Sequence, residues 1–183
     1  MSNKLVVIAG PTAVGKGTVV DYIVKNFPGI HLSVSATTRL PRPGEIEGKN
    51  YFFISHEEFD GLIADGEMLE YATVHGLNKY GTPRKPVIEA LERGEHVILE
   101  IDLQGARQVR KSMPEAKFIF IGPPSWDELV RRLTGRGTES AEEQAKRLES
   151  ARGELAAQGE FDHVVINDEV ARCAAEVVEL IQD

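Results

Sequence analysis

The apolar positions of this chain change period in a regular way. Leu5–Ala9 is an unbroken apolar run rich in β-branched residues, the pattern of a strand covered on both faces. From Thr18 to Phe27 the period becomes helical, with Val19, Val20, Ile23, Val24 and Phe27 on one face, and Pro28-Gly29 stops it. Buried strands are expected again at His96–Ile101, Phe118–Ile121 and Val164–Ile166. Helical patterns follow them at Leu103–Ser112, Trp126–Leu133 and Ala171–Ile181, the second opened by a Ser125-x-x-Glu128 capping box. Such alternation predicts an α/β fold with a parallel sheet and helices on both faces.

Two stretches depart from the alternation. Residues 34–89 carry Pro41-Arg42-Pro43-Gly44, strand-like runs at Tyr51–Ile54 and Met68–Val74, and a helix opened by a Ser55-x-x-Glu58 capping box. They are expected to form a small mixed α/β insertion. Residues 134–159 start with Gly135-Arg136-Gly137-Thr138 and continue as a polar helix that Ser140-x-x-Glu143 could cap. With few apolar residues this segment is expected to bury little core and to act as a mobile helical lid. One domain results, with a core of residues 1–33, 90–133 and 160–183, the insertion at 34–89 and the lid at 134–159.

Composition adds exclusions. At 183 residues the chain suits a single domain with a substantial core. Its 29 acidic and 21 basic residues give a net charge of −8, which argues against a general binder of nucleic acid or membrane surfaces. The single cysteine, Cys173, permits neither an internal disulfide nor a cysteine-built zinc site and reads as a small buried apolar residue. Leu5–Ala9 is far shorter than the roughly 20 residues that span a bilayer, and no leader-peptide pattern surrounds it; a cytoplasmic protein is expected. The five histidines lack metal-ligand spacing, so no metal site built from side chains is expected.

The strongest chemical signal is Gly10-Pro11-Thr12-Ala13-Val14-Gly15-Lys16-Gly17-Thr18, set between a buried strand and an amphipathic helix. Its spacing is that of a phosphate-binding loop. Glycines let successive N–H groups turn inward, the lysine adds a point charge, and the helix N-terminus adds its dipole. The position after Lys16 is Gly17, so the hydroxyl that commonly ligates Mg²⁺ is missing; the metal is expected to be held by nucleotide phosphates and water. Other clusters are weaker. Arg39 and Arg42, in a proline-stiffened loop ahead of Gly48-x-x-Tyr51, could clamp a monophosphate. Glu67–Ala72 with Tyr80–Pro83 forms a third cluster. Glu100 and Asp102 end a buried strand, where parallel sheets place their ligands. Arg131, Arg132, Arg136 and Arg147 could close over phosphates. Taken singly, each of these also fits a solvated loop, a helix cap or a solvated helix face.

Together and in order from about residue 4 to residue 182, these segments resemble the guanylate kinase family of P-loop kinases. The carrying motifs are Gly10–Thr18, Ser-Val-Ser-Ala-Thr-Thr-Arg-x-Pro-Arg at 33–42, Gly48-x-x-Tyr51, Glu70-Tyr71-Ala72, Tyr80-Gly81-Thr82-Pro83, Glu100-Ile101-Asp102-x-Gln104-Gly105, Gly135–Glu139 and Ile166-Asn167-Asp168. The resemblance implies transfer of the ATP γ-phosphoryl group to GMP. It implies that Gly10, Pro11, Thr12, Ala13, Val14, Gly15, Lys16, Gly17 and Thr18 hold the ATP phosphates, with Asn167 near the adenine. It assigns Arg39, Arg42, Tyr51 and Tyr80 to the GMP phosphate, and Ser35, Glu70, Thr82 and Asp102 to the guanine. It brings Lys16, Arg132, Arg136 and Arg147 to the transferring phosphoryl group. ATP with Mg²⁺ and GMP are the implied partners, without nucleic acid or membrane, and either a monomer or a homo-oligomer is compatible with the chain. A sugar-phosphate kinase of the ribose bisphosphate type and a non-catalytic protein-interaction module are the alternatives. The base-reading residues speak against the first; Lys16 and the lid arginines speak against the second.

Overall fold

The computed structural model describes residues 4–135, 137 and 139–183. In chain order the elements are β1 (Leu5–Ala9), α1 (Lys16–Asn26), β2 (Ile30–Leu32), β3 (Ala36–Thr37), β4 (Phe52–Phe53), α2 (His56–Ala64), β5 (Met68–Val74), β6 (Asn78–Pro83) and α3 (Arg84–Glu92). There follow β7 (His96–Glu100), α4 (Leu103–Ser112), β8 (Lys117–Gly122), α5 (Trp126–Thr134), α6 (Ala141–Ala156), β9 (His163–Ile166) and α7 (Val170–Gln182). Five parallel strands form the main sheet in the order β2-β7-β1-β8-β9. A second, mixed sheet runs β4-β3-β6-β5.

The twofold period of the strands divides the core. From β1, Val6 and Ile8 face a cluster with Val19, Val20 and Ile23 of α1 and Cys173, Ala174, Val177 and Ile181 of α7. Leu5, Val7 and Ala9 face the opposite cluster, with Val87 and Ala90 of α3 and Ala106 and Val109 of α4. Both faces are therefore covered, which is why the central strands read as unbroken apolar runs. A third, smaller cluster of Ala36, Phe59 and Met68 holds the mixed sheet to α2.

Some elements were not legible in advance. β2 is only three residues long, and β6 is a polar Asn-Lys-Tyr-Gly-Thr-Pro run that owes its strand geometry to pairing with β5 and β3. α3 carries Pro86 in its first turn, where a missing N–H costs no intrahelical bond. Val87 and Ala90 of this helix bury against the main sheet, so the expected boundary at residue 89 falls inside a core-packed helix. β9, expected to be buried, pairs only with β8 and is an edge strand: Val165 is buried, while Val164 and Ile166 are 42% and 39% exposed. α6 reaches the core through Ala151, with Leu148 and Leu155 packed beside it.

Candidate active site

Backbone contacts shape the loop from Gly10 to Gly15. A Cβ on Gly10 would stand 2.3 Å from the Ile121 carbonyl oxygen, so only glycine lets the loop leave β1 this close to β8. Gly15 has φ +93° and N-caps α1, and a Cβ there would meet Asn167 Nδ2 at 2.8 Å. That amide explains the crowding. Buried Asn167 donates from Nδ2 to the Val14 carbonyl at 2.8 Å, tying the loop to the end of β9. Arg132 of α5 donates from Nη1 to the same carbonyl at 3.2 Å, while its Nε donates to Glu128 at 2.9 Å.

Lys16 donates from Nζ to the Gly10 carbonyl at 2.6 Å, closing the loop across its mouth. Burial pushes its pKa below the ordinary lysine value, against the opposing pull of Glu154, Glu100 and Asp102. Glu154, on α6, was not singled out in the sequence. Its own pKa is raised, chiefly by burial. Only its spacing on a helix otherwise read as lid could have pointed to it.

The proposed phosphate clamp is partly assembled. Arg39 Nη1 and Nη2 each donate to Glu45 at 3.0 Å, and its guanidinium lies 5.3 Å from the Tyr51 ring centroid. Tyr80 lies near the Arg39 guanidinium and packs edge-on against Tyr51 at 6.0 Å. Arg39 Nε is buried with no hydrogen-bond partner among the described residues, a donor left for an incoming acceptor. Arg42 is exposed; its backbone N–H donates to Glu45 Oε2 at 3.1 Å. Glu45 thus organises both arginines, and the Arg39 hydrogen bonds hold its pKa below the usual carboxylate range. It stands six residues after Arg39, close enough for a charge-pair search of the loop to have found it.

Across the cleft, Glu70 is buried and accepts a 2.7 Å hydrogen bond from Thr82 Oγ1 on the neighbouring strand. Burial raises its pKa above the usual carboxylate value; the Thr82 bond opposes the shift and the Asp102 charge adds to it. Asp102 N-caps α4 by accepting from the Gly105 N–H at 2.7 Å, so the helix-cap role and a place in the cleft coexist. Two contacts hold β5, and with it Glu70, against α4. Gln108 exchanges hydrogen bonds with the Tyr71 backbone at 3.0 and 2.9 Å, and Ser112 Oγ donates to the Leu69 carbonyl at 2.8 Å. Nothing in the sequence pattern marked Gln108.

Ser35, Tyr51, Glu70, Tyr80 and Asp102 line one cleft of about 220 Å³. Asp102 also lines a neighbouring cleft of about 390 Å³, with Gln104 of α4 on one side and Ser150 and Glu154 of α6 on the other. Arg147 of α6 pairs with Glu139 at 2.6 Å and is not brought against the Lys16 loop by any described contact. Arg136 lies outside the described residues. The arrangement offers a phosphate-binding loop, an arginine–tyrosine face and a buried carboxylate, grouped around the C-terminal edge of a parallel sheet.

The guanylate kinase family model matches residues 2–183. A guanylate kinase of Leifsonia xyli subsp. xyli is 65% identical over 179 residues, covering 98% of this chain and 70% of its own length. One of Streptomyces coelicolor is 60% identical, covering 97% and 89%. The crystal structure of guanylate kinase from Anaplasma phagocytophilum superposes with a TM-score of 0.72 at 33% identity, over 99% of this chain and 85% of that one. A shikimate kinase from Bacteroides thetaiotaomicron, at 13% identity and a TM-score of 0.54, shares the fold alone.

Proposed function

This chain belongs to the guanylate kinase family, and on that premise we propose that it transfers the γ-phosphoryl group of ATP, held on the Gly10–Thr18 loop, to GMP in the first cleft. The observation that carries the reading is the first cleft, where a buried carboxylate, Glu70, faces a wall that also holds Tyr51 and Tyr80 beside Arg39. In its ionised form Glu70 accepts from guanine N1–H and the 2-amino group. Adenine presents an acceptor at N1 and has no 2-amino group, which leaves the carboxylate unpaired; mismatches of this kind discriminate by on the order of 10⁴. Thr82, Ser35 and Asp102 complete the base site. Arg39, Arg42, Tyr51 and Tyr80 take the monophosphate, and the buried Arg39 Nε supports that role.

The loop from Gly10 to Thr18 and Lys16 hold the ATP phosphates, with Asn167 fixing the loop near the adenine side. Arg132, Arg136 and Arg147 neutralise charge on the group in flight. Phosphoryl transfer asks for alignment, exclusion of water and charge neutralisation more than for covalent help. Mg²⁺, when bound with ATP, adds neutralising charge on the phosphates; Gly17 offers it no hydroxyl, so phosphates and water hold most of its shell. The insertion at 34–89 acts as the monophosphate-binding part and residues 134–159 as the lid. The proposed setting is the cytoplasm, in purine nucleotide metabolism.

The test is ADP release with ATP and Mg²⁺, offering GMP, AMP, CMP, UMP or ribose 1,5-bisphosphate separately. Turnover with GMP alone is expected. Turnover with the sugar phosphate alone overturns the base site while leaving the phosphate loop standing.

A further inference from the structure

Gly105 has no backbone reason to be glycine. It lies in the first turn of α4 with a φ outside the left-handed region, so the backbone there suits any L residue, and glycine is a weak helix former. What distinguishes the position is the side chain it lacks. A Cβ at Gly105 would stand 3.0 Å from Glu70 Oε2 and 3.3 Å from Asp102 Oδ1, both closer than ordinary van der Waals contact. Elsewhere in helices the room is open: a Cβ on Gly61 of α2 or on Gly153 of α6 meets nothing within 4 Å. The bare position therefore lets a carboxylate from β5 and the one that caps α4 converge on a single point. Each is also held in place. Thr82 donates to Glu70 Oε1 at 2.7 Å, and the Gly105 N–H donates to Asp102 Oδ1 at 2.7 Å. Both carboxylates line the first cleft, and Glu70 is buried, so it has little room to give way.

We propose that Gly105 is a specificity-determining position of the base site: its missing side chain lets Glu70 and Asp102 act as a pair on the 2-amino group, and so sets the preference for guanine over hypoxanthine. The inference rests on the guanine reading of this cleft and deepens it. Guanine presents three donors along one edge, N1–H and the two hydrogens of the 2-amino group. One carboxylate accepts from N1–H and the nearer amino hydrogen; the other amino hydrogen needs a second acceptor close beside the first. Hypoxanthine presents N1–H alone and has no use for the pair. Gly105 is thus a positioning residue that acts through two carboxylates. A methyl group at position 105 must displace one or both of them by a few tenths of an ångström. A single carboxylate can follow N1–H through such a shift, whereas two held from different elements lose their alignment on the amino group.

The experiment compares the whole chain with its Gly105→Ala form and with Gly61→Ala as a control for stiffening a helix. Initial rates with ATP and Mg²⁺ are measured for GMP and for IMP, whose hypoxanthine lacks the 2-amino group, alongside melting temperature and affinity for a non-hydrolysable ATP analogue. Gly105→Ala is expected to lower kcat/KM for GMP about 10- to 100-fold, the range for lost hydrogen bonds to a charged group, chiefly through KM, and to lower that for IMP much less. Melting temperature and ATP-analogue affinity should hold, because alanine favours the helix. Gly61→Ala should leave both substrates unaffected. The ratio of GMP to IMP efficiency does not depend on the fraction of chain folded, so it reads the proposal even in a destabilised variant. An unchanged ratio in Gly105→Ala overturns the proposal whatever happens to the separate rates, since it assigns Gly105 to the packing of α4. A ratio that falls equally in Gly61→Ala overturns it as well, and so does an unsubstituted chain that uses IMP as readily as GMP. An unsubstituted chain that turns over neither substrate overturns the guanine reading itself, and is thereby distinguished from failure of the assignment to Gly105.

Discussion

At the scale of single residues, Glu70 sets function against stability. Its carboxylate is buried, and burial raises its pKa above the unfolded value. A group raised in this way binds protons more readily in the folded chain, so stability is full below the unfolded pKa and is lost as pH rises through the folded one. Reading guanine demands the opposite, the ionised form. Glu70→Gln keeps an oxygen to accept from Thr82 and removes the buried charge. It is expected to raise the Tm of the nucleotide-free protein at neutral pH and to lower kcat/KM for GMP by at least tenfold, with ATP affinity retained. Thermal melts and initial rates check both halves; a lower Tm with unchanged GMP kinetics denies Glu70 both roles. In the unsubstituted chain, kcat/KM for GMP should fall on acidification at a pH higher than an ordinary carboxylate would give. Lys16 behaves differently, because its work is electrostatic and its neighbours are carboxylates. Lys16→Ala is expected to reduce turnover by several orders of magnitude while the circular dichroism spectrum stays native, since Nζ contributes one bond to the loop.

Elements carry the geometry that no single residue holds. β5 presents Glu70 to the cleft, and it lies against α4 through the two Gln108 bonds to Tyr71 and the Ser112 bond to Leu69. Gln108→Ala removes two of these three tethers, at about 1–2 kcal/mol of stability. It is expected to raise KM for GMP several-fold and leave KM for ATP alone; equal effects on both would place the tether outside the base site. This suture is also where reading a sequence stops. The central strands β7, β1 and β8 of the main sheet were legible because they are apolar on both faces, and the loop after β1 because lysine, glycine spacing and flanking elements coincide in one short segment. Asp102 was legible at a strand end. By contrast, Gln108 is one polar residue on a helix whose partner is 37 residues away, and the Glu45 grip on Arg39 is a loop conformation without periodicity. β6 is a strand by pairing and not by composition, and β9 is an edge only because no further strand follows it in the sheet. What depends on long-range partners leaves no local pattern to read.

For the whole molecule, the question is how the parts respond to two anionic substrates. The net charge of −8 repels nucleotides at long range, so the cations proposed to receive them, Lys16, Arg39, Arg42 and Arg132, would act locally, and salt is expected to weaken binding. The two clefts meet at Asp102, one walled by the mixed sheet and the other by α6. In the proposed reading, GMP in the first cleft adds negative charge beside Asp102, a wall that both clefts share. One ligand at about 100 times its Kd stabilises by about 2.7 kcal/mol, on the order of 5–10 °C in Tm for a chain of this size. If insertion and lid close toward each other over a shared wall, GMP and a non-hydrolysable ATP analogue together should shift Tm by more than the sum of their separate shifts. Coupling energies of about 1–3 kcal/mol would put that excess at a few degrees. The clean control is the same pair of titrations on Glu70→Gln, where the GMP shift should shrink and the excess should shrink with it, while the shift from the ATP analogue persists. Strictly additive shifts in the unsubstituted chain would mean that insertion and lid move as separate bodies, each answering only its own nucleotide.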